Sequence, residues 1–118
     1  MSTIVFLDSS VLIQHFRSQN KINSFYTQIR RGYDKLYISA IAKAEIFSYV
    51  KESNLEYWNN IFKNIRVLPF TDNTIIKTRE IALQLKRKSM MIELADMMIA
   101  ATAIENNFPL ATINQNHF

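Results

Sequence analysis

Four short apolar segments alternate along this chain with longer segments of helical periodicity. We expect the apolar segments to be strands, and they cover 3–7, Leu36–Ile38, Arg66–Phe70 and Phe108–Thr112. Strands separated by helices imply βαβ units, and right-handed crossovers would place helices on both faces of a parallel sheet. The alternation therefore predicts a helix-rich α/β fold around a short parallel sheet of about four strands.

Caps, stop signals and apolar spacing predict the helices between these strands. Ser10 and Ser39 are expected to cap the helices that follow them, and Arg30–Gly32 is typical of a helix end. Asp72 is expected to act as a capping or first-turn acid. The predicted helices begin after Ser10, cover 20–31, run from Ser39 to about Lys51, cover 54–64, and run from Thr71 to Lys88 and from Leu94 to Glu105.

Length and composition limit the classes of protein to consider. A chain of 118 residues fits one domain, 1–118, with a single core. The absence of cysteine excludes disulfides and thiolate metal sites. No apolar stretch approaches the ~20 residues of a membrane span, and the N-terminus does not resemble a signal peptide, so a cytoplasmic protein without membrane association is expected. The net charge of +4 is compatible with an anionic partner such as nucleic acid, and equally with a slightly basic soluble protein.

Three of the ten acidic residues stand in apolar surroundings. Asp8 follows the first apolar segment, Glu45 lies in an apolar helix, and Asp96 opens an alanine-rich helix in which Ile99 and Ala103 share its face. A carboxylate on such a face is costly to ionise unless it is paired or coordinated. Each acid also has a simpler interpretation: Asp8 and Asp96 as helix caps, and Glu45 as an exposed side chain at the edge of a stripe.

If these three acids converge, they suggest a site for a divalent cation. Carboxylates without supporting histidine or cysteine suit hard cations that prefer oxygen ligands, such as Mg²⁺ or Mn²⁺. Clustered carboxylates repel one another, so without a cation at least one is expected to have a raised pKa. Cation sites of this type polarise a phosphate oxygen and lower the pKa of a bound water, which indicates phosphoryl chemistry.

Four sequence blocks resemble the PIN-domain ribonucleases, and among them the VapC-type toxins of bacterial toxin–antitoxin pairs. Together they span most of the chain in the order that the family has. The blocks read FLDSSVLI at 6–13, SAIAKAEIF at 39–47, ADMMIAATAI at 95–104 and LATINQNHF at 110–118. The third block is the most specific, because an aspartate followed by an Ile-Ala-Ala-type helix is typical of the family.

The resemblance implies a PIN-like three-layer α/β/α fold and Mg²⁺-dependent cleavage of RNA phosphodiesters by activated water, with Mn²⁺ as a possible substitute. It implies Asp8, Glu45 and Asp96 as metal ligands, and these three together with Asn114 as the catalytic residues. Ser9 and Thr112 correspond to hydroxyl residues that line the pocket. The implied partners are an RNA substrate, a cognate antitoxin protein and a second copy of the chain in a homodimer.

Two departures from the family pattern qualify this transfer. Asn114 is neutral where the family has an Asp or Asn, so a second cation would be held only weakly. The sequence also ends at Phe118, where family members usually continue into a final edge strand. Either the sheet keeps four strands and that edge strand is absent, or the chain is a shortened form. These departures favour an alternative function as a catalytically weak PIN-like module that binds RNA or protein.

Other features admit more than one interpretation. A set of aromatic residues fits two interpretations equally well, as part of the core or as a surface for a dimer or an antitoxin: Phe25, Tyr26, Tyr57, Trp58 and Phe62. Basic residues at 30–35 and 77–88 are solvated helix faces or contacts to RNA phosphates. His15 and His117 are expected on the surface. A receiver-like signalling domain is disfavoured, because Thr112 and Asn114 stand where such a domain needs a lysine.

Overall fold

The computed structural model describes residues 3–113, and in them four parallel strands form one sheet. The strands are β1 (Ile4–Leu7), β2 (Lys35–Ser39), β3 (Ile65–Leu68) and β4 (Leu110–Ala111), in the spatial order β3-β2-β1-β4. β1 pairs with β2 from Ile4 opposite Lys35, and with β4 from Phe6 opposite Leu110. The predicted α/β class with a four-stranded parallel sheet is confirmed.

Helices flank this sheet. They are α1 (Ser9–Arg17), α2 (Phe25–Gly32), α3 (Ala40–Phe47), α4 (Leu55–Phe62), α5 (Asp72–Arg87) and α6 (Leu94–Asn106). Helix α1 packs against α2 and α3, α3 also packs against α6, and α5 runs along α6. Ser39 caps α3 as predicted. Thr71 caps α5, so Asp72 is a first-turn acid rather than the cap.

Several predicted helix boundaries are wrong by a few residues. The segment 20–31 divides into a 3₁₀ turn, Lys21–Asn23, and α2, because the Ser24 hydroxyl accepts a hydrogen bond from the Thr27 amide and starts a new helix. Helix α1 begins at Ser9 with Asp8 as its cap, so Ser10 lies inside the helix. Helix α3 ends at Phe47 rather than near Lys51. At Asp8 and Ser24, a capping side chain decided the boundary against a continuous helical pattern.

The core lies between the central strands and the helices. Phe6, Leu7, Leu12, Ile38 and Ile99 have at most 1% of their surface exposed. Of the aromatic set, Tyr26, Trp58 and Phe62 are buried, while Phe25 and Tyr57 are half-buried against the same core. The core interpretation is therefore correct for Tyr26, Trp58 and Phe62, whereas Phe25 and Tyr57 keep part of their surface exposed.

The strand order creates a crevice at one end of the sheet. From β1 the chain proceeds to β2 and β3 on one side, whereas β4 returns to pair with β1 on the other. In open α/β sheets, ligands bind beyond the carboxyl ends of the strands where the order reverses in this way. Asp8 follows β1 and Thr112 follows β4, so both residues lie at this switch point.

Two further expectations concern the membrane and the edge of the sheet. Within residues 3–113, no helix is both long enough and apolar enough to cross a membrane. The expected absence of a final edge strand concerns positions beyond Ile113, which lie outside the described residues.

A conservative truncation in the central strand tests the packing of the core. Ile38 is fully buried on β2, whereas Ile76 on α5 has 58% of its surface exposed. We expect Ile38→Val to lower the free energy of unfolding by about 0.5–1.5 kcal/mol, because a buried methyl group is lost and a void remains. Ile76→Val should have almost no effect, and equal losses in urea denaturation of the two variants would contradict the assigned core.

Candidate metal and nuclease site

Asp8 is a buried carboxylate held by hydrogen bonds from three directions. Only 2% of its surface is exposed. Its Oδ1 accepts from the backbone amide of Ser9 at 2.9 Å, which caps α1. Its Oδ2 accepts from the hydroxyl of Ser10 at 2.7 Å and from the hydroxyl of Thr112 at 2.8 Å. The capping interpretation of Asp8 is thus correct, but it accounts for only one of the two carboxylate oxygens.

The hydroxyl groups around Asp8 join the two ends of the switch point. Thr112, predicted to line the pocket, is the residue after β4, and its hydroxyl donates to Asp8. The Ser10 hydroxyl lies 3.3 Å from the Thr112 hydroxyl. The backbone amide of Ile113 also donates to the Ser10 hydroxyl. Ser9, the other predicted pocket residue, contributes its backbone amide to Asp8. Ser10, expected only as a helix cap, is thus a further residue of the site, and its contacts with Thr112 and Ile113 form only in the folded sheet.

Glu45 lies on α3 and carries the clearest electrostatic perturbation of the site. Its side chain is half-buried, and its Oε1 is buried with no hydrogen-bond partner in the described residues 3–113. Burial raises the pKa of Glu45 above its usual value, and the negative charges of Asp96 and Asp8 raise it further. The expected pKa shift of a clustered carboxylate is therefore found at Glu45.

Asp96 lies in the first turn of α6, half-buried, close enough for its charge to act on Glu45. Its interpretation as a helix cap is wrong, because α6 begins at Leu94 and Glu93 occupies the cap position. A carboxylate in the first turn is favoured by the helix dipole. The packing of α6 against α3 brings Asp96 and Glu45 from distant parts of the sequence to one region.

The oxygen donors of the site come from the three carboxylates of Asp8, Glu45 and Asp96. Within residues 3–113, no group of three or more Asp, Glu, His or Cys side chains is arranged so that it could hold a metal ion. The chemistry of the donors nevertheless fits one: three neighbouring carboxylates, of which Glu45 offers a buried oxygen without a partner. An unsatisfied buried carboxylate oxygen is costly, and a cation would satisfy it. Asn114, the predicted fourth catalytic residue, lies outside the described residues.

The chain resembles known proteins over nearly its whole length. A family model described as PIN domain matches residues 5–118. The chain is also 35% identical to Ribonuclease VapC1 of Methanocaldococcus jannaschii, over 97% of this chain and 78% of the relative. The chain belongs to the PIN domain family, and within it to the VapC proteins. This membership confirms the resemblance inferred from the four sequence blocks.

Solved structures share the fold of this PIN domain. The crystal structure of DNA-bound VapBC from Salmonella typhimurium is 25% identical, covers 100% of this chain and 91% of that one, and gives a TM-score of 0.82. A toxin–antitoxin complex from Klebsiella pneumoniae gives a TM-score of 0.77 at 19% identity, over 97% of this chain and 89% of that one. The predicted PIN-like α/β/α architecture is confirmed.

His15, predicted to lie on the surface, instead packs against residues at the start of α2. It is half-buried, its Nδ1 lies 2.6 Å from the Ser24 hydroxyl, and its ring packs against Tyr26 at 4.9 Å. Burial lowers the pKa of His15, and the positive charges of Lys21 and Arg30 lower it further. His15 thus ties α1 to the start of α2. His117 lies outside the described residues.

The pKa of Glu45 predicts the pH dependence of stability in the absence of metal. A raised pKa means that the folded protein retains this proton more readily than the unfolded chain, so Glu45 favours folding below its ordinary value of 4.5. That contribution is lost as the pH rises through the folded pKa. In EDTA at pH 7, Glu45→Gln should therefore raise the free energy of unfolding by up to about 1 kcal/mol.

Urea denaturation between pH 4 and pH 8 measures this effect. The gain from Glu45→Gln should shrink toward pH 4, where wild-type Glu45 is itself protonated. Glu52→Gln is the matched control, because Glu52 is exposed outside the site. A Glu45→Gln variant that is less stable than wild type at pH 7 would contradict this account. It would mean that the negative charge of Glu45 does not destabilise the folded protein.

Proposed function

We propose that this chain is a metal-dependent endoribonuclease and the toxin of a type II toxin–antitoxin pair. The observation that carries the proposal is the half-buried Glu45, whose buried oxygen lacks a partner beside the charges of Asp8 and Asp96. A carboxylate perturbed by burial and by neighbouring charges is a candidate functional group. A divalent cation is the partner that three carboxylates suit. The relative named Ribonuclease VapC1 supports the activity.

Each site residue has a proposed role. Asp8, Glu45 and Asp96 would hold Mg²⁺, or Mn²⁺ in its place, and Asn114 would assist as a neutral oxygen donor. When bound, the cation would supply polarisation of a phosphate oxygen and an acidified water for phosphodiester hydrolysis. Ser9 and Thr112 would border the position of the substrate phosphate. The RNA substrate is thereby brought to the switch point of the sheet.

The protein's own contribution is the orientation of Asp8. A carboxylate accepts about four hydrogen bonds or their equivalents, and the Ser9 amide and the Ser10 and Thr112 hydroxyls use three of these positions. The remaining position is left for a cation or for a water. Fixed ligands of this kind reduce the reorganisation that binding requires.

An apolar groove beside α1 supports an antitoxin partner. On the side facing α3 and α4, an apolar groove is lined by Phe16, Ile46, Val50 and Trp58, and Tyr49 at its rim is 87% exposed. An apolar helix of a partner protein is the kind of ligand that such a groove accepts. The VapBC structures similar to this chain are consistent with this assignment.

The remaining expectations also stand as proposals. The single core cluster in residues 3–113 supports one domain over 1–118. Exposed apolar side chains on α5 and α6, among them Ile75 and Leu94, support a homodimer, since apolar surface of this kind marks association sites. A cytoplasmic location remains a prediction.

The proposed activity is tested with two Asp→Asn variants. Asp96 and Asp72 both lie in the first turn of a helix, α6 and α5, but only Asp96 is beside Glu45. We expect Asp96→Asn to lower the rate of Mg²⁺-dependent RNA cleavage by on the order of 100-fold or more, because a cation contributes several kcal/mol to the transition state. Asp72→Asn should cleave as wild type does.

Purified protein is assayed on tRNA, rRNA and mRNA, with Mg²⁺ and with EDTA. Cleavage that is equally fast in EDTA would exclude a metal-dependent nuclease, and full activity of Asp96→Asn would exclude the assigned site. No cleavage of any RNA by wild type in Mg²⁺ or Mn²⁺ would favour the alternative of a PIN-like binding module.

A further inference from the structure

A second, polar cleft opens at the switch point beside the carboxylates. It lies between α1, the start of α2 and the end of β4, and has a volume of about 650 Å³. Its lining includes Ser9, Ser10, Gln14, Arg17, Asn23 and Phe25. This volume lies within the range of about 300–1,000 Å³ that small-molecule sites occupy, and its position is where open α/β sheets bind ligands.

Ser10 connects the cleft with the proposed metal site. Its side chain lines the cleft, and its hydroxyl donates to Asp8 Oδ2 at 2.7 Å. Ile113 lines the cleft as well, and it follows Thr112, whose hydroxyl donates to Asp8. A ligand in the cleft is therefore separated from Asp8 by a single side chain.

The chemistry of the lining favours a nucleotide. The lining contains no acid, and it carries one cation, Arg17, which is exposed and has no ion pair within residues 3–113. The hydroxyl of Ser9 and the side-chain amide of Asn23 make no hydrogen bonds in that part of the chain. Neutral donors and acceptors of this kind recognise base edges and sugars, and an exposed arginine suits a phosphate.

Phe25 adds an aromatic face to the same cleft. It is half-buried at the start of α2, and its backbone amide donates to the Gln14 side chain at 3.4 Å. Aromatic side chains in nucleic-acid sites stack on bases that have left the helical stack. The groove on the other side of α1 is lined mainly by aliphatic and aromatic side chains, so the two sides of this helix differ in the ligand they suit.

We propose that this cleft binds the nucleotide adjoining the scissile phosphate of single-stranded RNA, with Arg17 contacting a backbone phosphate and Phe25 contacting the base. The assignment rests on the proposed ribonuclease function and specifies its substrate as an unpaired strand. A paired base could not enter a cleft of this size, because its partner strand would have to follow. The lining residues Gln14 and Asn23 would then determine which base is preferred.

Binding is measured separately from cleavage, so that failure of this proposal and failure of the proposed function can be told apart. Fluorescence anisotropy of a labelled hexaribonucleotide of mixed sequence is recorded in EDTA at several salt concentrations. Arg17→Gln is compared with Arg66→Gln, which makes the same charge change on β3, the opposite edge strand from β4. Phe25→Leu tests the aromatic contact, and thermal unfolding of every variant checks the fold.

We expect Arg17→Gln to weaken RNA binding roughly tenfold, and to reduce the slope of log K against log salt by about 0.7, the value for one single-strand phosphate contact. Phe25→Leu should weaken binding between about fivefold and a hundredfold if a base stacks there. Arg66→Gln should bind as wild type does. These losses would support the cleft even if the protein proved not to cleave RNA.

Equal Kd values for Arg17→Gln and Arg66→Gln, or wild-type binding by a folded Phe25→Leu, would overturn the proposal while leaving the nuclease assignment intact. Equal affinity of the wild type for the single-stranded hexaribonucleotide and for a blunt-ended RNA duplex of the same length would overturn it as well. Arg17 also borders the apolar groove on the other side of α1, whereas Phe25 lines only the polar cleft of the two. If Phe25→Leu weakens only the binding of a partner protein, the cleft belongs to that protein and the assignment to RNA is wrong.

Discussion

The structure depends on the hydrogen bonds that converge on one buried carboxylate. Asp8 connects the end of β1, the first turn of α1 and the residue after β4 through the Ser9 amide and the Ser10 and Thr112 hydroxyls. β1 and β4 pair where the strand order reverses. The network therefore links the ends of the two strands that meet at the switch point of the sheet. The same contacts that hold β4 in place also orient a ligand of the proposed cation site.

The remaining carboxylates show how function and stability oppose each other here. Glu45 is half-buried beside two negative charges, and burial raises its pKa. A chain selected for stability alone would be expected to carry a neutral residue at this position, because an unpaired charge in a partly apolar site is unfavourable. A divalent cation between the acids would turn this repulsion into attraction. The unfavourable environment of Glu45 therefore supports the proposed cation site.

The sequence predicted the fold class and the strand positions because the apolar segments and their helical neighbours are local patterns. It was less accurate where competing caps decide, as at Ser24, which divides 20–31 into two elements. The proximity of Glu45 and Asp96 was predicted from their apolar settings and the family resemblance. The role of Ser10 was missed, because its contacts with Thr112 and Ile113 join residues about a hundred positions apart, as only the folded sheet brings them together.

The cation site itself is tested most directly by calorimetric titration with Mn²⁺ of wild type and Asp8→Asn. Asparagine is as good a helix cap as aspartate, so the variant keeps the start of α1 while it loses the charge. Wild type should bind at least one Mn²⁺ per chain, and Asp8→Asn should bind it at least about tenfold more weakly, as loss of groups around a metal usually does. No binding by wild type, or equal binding by both proteins, would contradict the assignment of Asp8, Glu45 and Asp96 as metal ligands.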